Sequence, residues 1–132
     1  MRQLANSKGL RLSIEAYHGT VDDLRYAGRA DEPMTEFWRS IYSGLPYPDL
    51  SEEMASAAHV YGRNILAAEA FTSQRGDFVD HPASMKPLAD WAFCTGVNRI
   101  CFSEWIMQPW PDLVPGEFLR RSEITIRNTD ER

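Results

Sequence analysis

The chain has 132 residues, enough for one modest domain with a core of its own. Hydrophobic residues make up 43% and charged ones 25%, ordinary for a globular chain. The net charge of −5, with the basic residues scattered, argues against nucleic acid or an anionic membrane as main partner. No apolar run approaches the ~20 residues of a membrane span.

Residues 1–8 read as the tail of a helix, with Gly9 just past its end. They lack the apolar stretch of a signal peptide, so the chain itself does not tell its localisation. Residues 10–14 alternate apolar and polar and read as a strand. From 17 to 50 the chain reads as a long loop, rich in glycine and proline (Gly19, Gly28, Pro33, Gly44, Pro46, Pro48), with a short helix around 34–42. Ser51 is expected to cap a helix whose first turn carries Glu52 and Glu53, ending near Tyr61 at Gly62. Residues 65–68 form a buried strand, and 72–82 a second loop. Ser84 is expected to cap a third helix, with Pro87 in its first turn, Leu88, Trp91 and Ala92 on its apolar face, and Gly96 at its end. Residues 97–102 are a third strand. The tail from about 111 to 132 reads as irregular, with a short strand at 124–126. Cys94 and Cys101 read as two buried thiols, and no tight Cys/His cluster suggests a metal site.

Helices alternate with strands, so the sheet should be parallel. Three β/α steps cannot close a barrel, which takes eight units. The expected fold class is therefore α/β: residues 1–132 form a single partial domain, a fragment of a (β/α)8 TIM-type barrel with about three β/α units. A small three-layer α/β domain would need more strands than the sequence shows.

Three apolar runs lead into a glutamate with an aromatic close behind: Ile14-Glu15-Ala16-Tyr17, Ala68-Glu69-Ala70-Phe71 and Phe102-Ser103-Glu104-Trp105. The C-terminal ends of parallel strands build a barrel's active site, and carboxylates there beside aromatics suit acid/base work on a sugar. Glu15 and Glu69 are expected on neighbouring strands, and Glu104 one strand further from Glu15. Side-chain reach leaves both the retaining and the inverting separation open. Strand parity turns Glu15 to the polar face with Ser13 and Arg11. Glu69 shares its face with Ala67 and Ile65, which decides nothing, and Glu104 shares the apolar face of Phe102. Glu36 reads either as a helix-face charge or as a residue of the mouth. His59 falls within a helix and reads as structural, whereas His18 and His81 fall in loops after strands, where they could hold a sugar hydroxyl. A Gly-rich phosphate motif and a Ser-centred nucleophile elbow are both absent.

The ordered set Lys8-Gly9-Leu10, Ile14-Glu15-Ala16-Tyr17, Gly28-Arg29-Ala30-Asp31-Glu32-Pro33-Met34-Thr35-Glu36-Phe37-Trp38, Ala57-Ala58-His59-Val60-Tyr61-Gly62, Ala68-Glu69-Ala70-Phe71-Thr72, His81-Pro82, Lys86-Pro87-Leu88-Ala89-Asp90 and Gln108-Pro109-Trp110 resembles the catalytic barrel of the α-L-rhamnosidases of glycoside hydrolase family 106. The resemblance covers most of residues 8–116 and only a minority of a family barrel. It implies a secreted or periplasmic bacterial parent enzyme that removes terminal α-L-rhamnose from plant polysaccharides or glycosides. It further implies paired glutamates working with inversion, and a calcium ion near the sugar. The matching glutamates are Glu15 and Glu69, acid and base not distinguished. Gln108 and Trp110 match the strand-end motif, and the expected sugar contacts are Tyr17, His81, Glu104, Gln108 and Trp110. The chain departs from the family pattern at Ser103 and Met107, where histidines are expected, and at Ala83, where a tryptophan is expected. The rival readings are a non-catalytic carbohydrate-binding or inactive barrel fragment, and another sugar-active barrel such as a β-glycosidase. The 132-residue chain alone is expected to be inactive, with the remainder of the barrel missing.

Overall fold

Helices and strands alternate along the chain in the computed structural model, which describes residues 1–17, 19, 21–40, 48–73 and 80–103. The elements are α1 (Arg2–Ser7), β1 (Ser13–Glu15), α2 (Asp23–Ala27), β2 (Glu32–Ser40), α3 (Pro48–Val60), β3 (Ala67–Ser73), α4 (Pro82–Cys94) and β4 (Arg99–Phe102). The four strands form one sheet in the order β1-β2-β3-β4, each pair parallel. A parallel sheet in sequential order, with no reversal, is compatible with an arc of a barrel.

One local device recurs. Helices α1, α3 and α4 each run out at a glycine in the left-handed region: Gly9 (φ 71°), Gly62 (φ 62°) and Gly96 (φ 108°). In each case the next residue's amide returns to a carbonyl five residues back: Leu10 to Ala5, Arg63 to Ala58 and Val97 to Ala92. This closure satisfies carbonyls that the helix end would leave open, and it needs a residue without a Cβ. The chain leaves each closure aimed at the following strand.

The sheet has two faces because successive residues of a strand point to opposite sides. On one face Ile14, Thr35, Phe37, Ala68, Ala70 and Ile100 meet Met54, Ala57 and Ala58 of α3 and Met85 and Ala92 of α4. Phe37, fully buried, contacts Phe71 edge-to-face at 5.1 Å and Trp91 at 6.1 Å between centroids. Thr35 and Ser51, both fully buried, approach to 3.5 Å between hydroxyls and tie β2 to α3.

Several sequence expectations are corrected here. The expected loop and helix over 34–42 contain β2, so the described sheet has four strands rather than three. Residues 34–38 alternate, and Thr35 and Phe37 gain burial only as a strand. Ser51 lies inside α3, which opens at Pro48. Helix α4 opens at Pro82, with His81 at its N-cap and the His81 amide donating to Ser84 Oγ at 3.0 Å, so Pro87 sits in the helix interior. Cys94 and Cys101 are exposed, not buried. Cys94 lies about 200° around the helix from buried Ala92, and Cys101 is on β4, which ends the described sheet. His59 is exposed in the last turn of α3. The expected tail and the strand at 124–126 lie outside the described residues.

Asp31 joins the N-terminal pieces. Its carboxylate accepts from the Leu12 amide (2.9 Å) and Asn6 Nδ2 (2.8 Å), and pairs with Arg2 Nε (2.7 Å). These bonds, the backbone one foremost, hold its carboxyl well below the usual carboxylate range. A depressed carboxyl stabilises the fold above its unfolded value, near 3.8, and loses that effect as the pH falls further. Asp31→Asn is expected to lower the melting temperature at neutral pH, with the difference closing below about pH 3.8. Identical neutral-pH melting of the two proteins would count against this role.

Candidate active site

The other face of the sheet carries the charges. The registers pair Glu15 with Met34, Met34 with Ala67, and Ala67 with Arg99; two residues further along, Glu36 pairs with Glu69 and Glu69 with Cys101. Period-2 alternation therefore sets Glu15, Glu36 and Glu69 on one face of three consecutive strands, Glu15 at the end of β1 and Glu36 and Glu69 further back, within β2 and β3. Below them Glu32, mostly buried, accepts Arg11 Nε at 3.0 Å and pairs with Arg99, which comes over from β4 past the small side chain of Ala67. Arg11 and Arg99 are thus spent on Glu32, and among the described residues the three upper carboxyls meet hydrogen-bond donors instead.

Tyr17 Oη donates to Glu36 Oε2 at 2.5 Å, and Trp38 Nε1 donates to the other oxygen, Oε1. Burial, and then the bond to Glu36, push the Tyr17 hydroxyl upward, so it stays a donor. Thr72 Oγ1 donates to Glu69 Oε1 at 3.3 Å. Desolvation raises the carboxyl of Glu15 above its ordinary 4.5, and the charges of Glu69 and Glu36 raise it further, while a bond from Tyr17 opposes them. A carboxyl whose proton affinity is raised by burial and by neighbouring carboxylates has the character of the general acid in glycoside hydrolysis.

The structure brings Glu15 and Glu69 onto one face, but on next-but-one strands. The expectation that they are neighbours is corrected, because β2 lies between them. Tyr17 stands at the site with its hydroxyl engaged by Glu36. His81 is exposed at the N-cap of α4, next to Asp80, whose carboxylate Arg39 at the end of β2 binds at 2.9 Å. Glu104, Gln108, Trp110, Trp105 and His18 lie outside the described residues. Sequence reasoning left Glu36 undecided and missed Trp38 and Thr72. The signal for Glu36 and Trp38 was the alternation over 34–38, which puts both on the face of Met34.

A cavity of about 1000 Å³ opens elsewhere, beside α1 and β1, lined by residues such as Arg2, Ser13, Arg25, Tyr26, Tyr61 and Arg63. It contains none of the three carboxylates and is not the site. Among the described residues no group of three or more His, Cys, Asp or Glu side chains is placed to hold a metal ion, so the expected calcium has no ligand set there.

A family model described as alpha-L-rhamnosidase matches residues 1–129. A protein of Formosa agariphila named "Putative beta-glucuronidase" is 36% identical over 115 residues, which is 87% of this chain and 10% of that protein. The solved structure of a rhamnosidase from Novosphingobium sp. PP1Y superposes with a TM-score of 0.65 at 29% identity, covering 76% of this chain and 10% of the other. The chain thus spans about a tenth of the length of these relatives.

The raised carboxyl of Glu15 has a stability signature. The folded state holds this proton more tightly than the unfolded chain does, so stability falls as the pH rises from about 4.5 through the folded value. Glu15→Gln is expected to raise the melting temperature at neutral pH and to leave it unchanged below pH 4.5. A neutral-pH decrease would contradict the crowding of charges on this face.

Proposed function

The chain belongs to the α-L-rhamnosidases of glycoside hydrolase family 106, and we propose that its sheet is an arc of a (β/α)8 barrel that hydrolyses terminal α-L-rhamnose from plant polysaccharides or glycosides. The observation that carries the reading is the common face of Glu15 and Glu69, with Glu36 fixed between them and Glu15 inclined to keep its proton.

In this reading Glu15 is the general acid. It gives its proton to the glycosidic oxygen as the bond from that oxygen to C1 breaks. Glu69 is the general base. It takes a proton from a water that attacks C1 on the opposite face of the ring, and the first product is β-L-rhamnose. The order of strands supports inversion. Next-but-one strands lie about twice the ~4.8 Å spacing apart at the backbone, which leaves room for the water that inverting enzymes hold between carboxyls ~6.5–9.5 Å apart. Glu36, bound on both oxygens, serves as a fixed negative charge. It disfavours loss of the Glu15 proton before substrate arrives, and it attracts the positive charge that develops on the sugar.

Rhamnose presents a methyl group and three hydroxyls, and its remaining contacts come from other parts of the barrel. The 132-residue chain by itself is expected to show no turnover, since among the described residues β1 and β4 are the edges of an open sheet.

In the full-length protein, Glu15→Gln and Glu69→Gln are each expected to lower kcat on a phenyl α-L-rhamnoside about 10²–10⁴-fold. With a dinitrophenyl leaving group, which needs no proton, Glu15→Gln should regain most of that loss and Glu69→Gln should not. Proton NMR of the first product should show the β anomer. Undiminished turnover in both variants would sink the assignment.

A further inference from the structure

The ladder between β2 and β3 changes step at Phe71. Phe37 pairs with Ala70 and Trp38 with Thr72, so Phe71 is an extra residue on β3, and it takes the left-handed conformation at φ 67°. A bulky side chain adopts that conformation only at a cost, and such outliers gather where a side chain must be re-aimed. Regular alternation after Glu69 would turn Phe71 to the carboxylate face and Thr72 to the apolar one. The bulge exchanges them. Phe71, almost fully buried, packs on Phe37 (5.1 Å) and stacks on Phe102 (5.6 Å) on the apolar face. Thr72, buried to 4% exposure, donates its hydroxyl to Glu69 Oε1 at 3.3 Å.

We propose that Thr72 is a positioning residue for Glu69, delivered to that carboxylate by the bulge at Phe71. The proposal rests on the reading of Glu69 as the catalytic base. One oxygen of Glu69 takes the Thr72 hydrogen bond, which fixes the rotation of the carboxylate and leaves the other oxygen for the attacking water. Threonine suits the place because its methyl group fills buried space while its hydroxyl makes the single bond required. A buried hydroxyl without a partner would be costly, so the Thr72–Glu69 pair also satisfies Thr72.

The test uses the full-length protein and a phenyl α-L-rhamnoside. Thr72→Val keeps the shape and removes the donor. It is expected to lower kcat about ten- to a hundredfold, as loss of a hydrogen bond to a charged group does, with little change in KM. Thr72→Ser restores the hydroxyl and is expected to recover most of kcat. In a Glu69→Gln background Thr72→Val should cost nothing further. If Thr72→Val does not fold, Thr72→Ala makes the same comparison without its extra methyl groups. A variant lacking the hydroxyl that melts lower yet turns over normally, or a loss that serine does not recover, overturns the proposal. Glu69→Gln inactive beside an undiminished Thr72→Val overturns this proposal alone. Glu69→Gln with normal turnover overturns the base assignment and this proposal with it.

Discussion

Three glutamates on one face of three adjacent strands repel one another, and much of the surrounding structure serves to hold them there. The parallel ladder sets their spacing, and side-chain parity gives them a common direction. The opposite face buries Phe37, Ala68 and Ala70 against α3 and α4, and this apolar burial offsets the repulsion. Among the described residues no arginine neutralises the group directly. Arg11 and Arg99 go to Glu32, four residues before Glu36 on the same strand and the same face. A lower layer of paired charge thus supports an upper layer of carboxyls that, among the described residues, has no cation beside it. Among the described residues the upper layer meets neutral donors, namely Tyr17, Trp38 and Thr72, and Glu15 holds its proton more tightly than an isolated carboxyl does.

The two faces meet at the bulge on β3. The aromatic that alternation would turn into the carboxylate cluster is instead used as core, and the hydroxyl that would be wasted in the core is used in the cluster. The same step lets Phe71 bridge Phe37 on β2 and Phe102 on β4, so the apolar face is laced across three strands where the carboxylate face needs rigidity. The positive φ of Phe71 fits this double duty: glycine would accept the conformation more readily but would take away the ring that Phe102 stacks on and leave Phe37 with Trp91 alone.

How much of this was legible follows from how local each signal is. The glycines that end α1, α3 and α4 could be read because each closure is completed within six residues. The strands after them could be read because an apolar run follows directly. Strand β2 was hidden by the proline and glycine around it, although Thr35 and Phe37 alternate against Met34, Glu36 and Trp38. Losing β2 put Glu15 and Glu69 one strand too close and left Glu36 without a place. The exchange of Phe71 and Thr72 has no one-dimensional signature, since the extra residue exists only relative to the pairing strand. The cysteines were misjudged for a similar reason. Free cysteine is usually buried, but Cys101 faces the carboxylate side of the last described strand, and Cys94 faces away from the helix side that packs.

Trp38 gives the charged face an optical readout. Its indole N–H is bonded to Glu36, so the field of that carboxylate acts along the axis on which indole absorption and emission depend. A ring stacking on Trp38, or a change of charge at Glu15, alters that field at short range. The fluorophore is native, lies on the same face as Glu36 and Glu69, and needs no label to report when a ligand arrives.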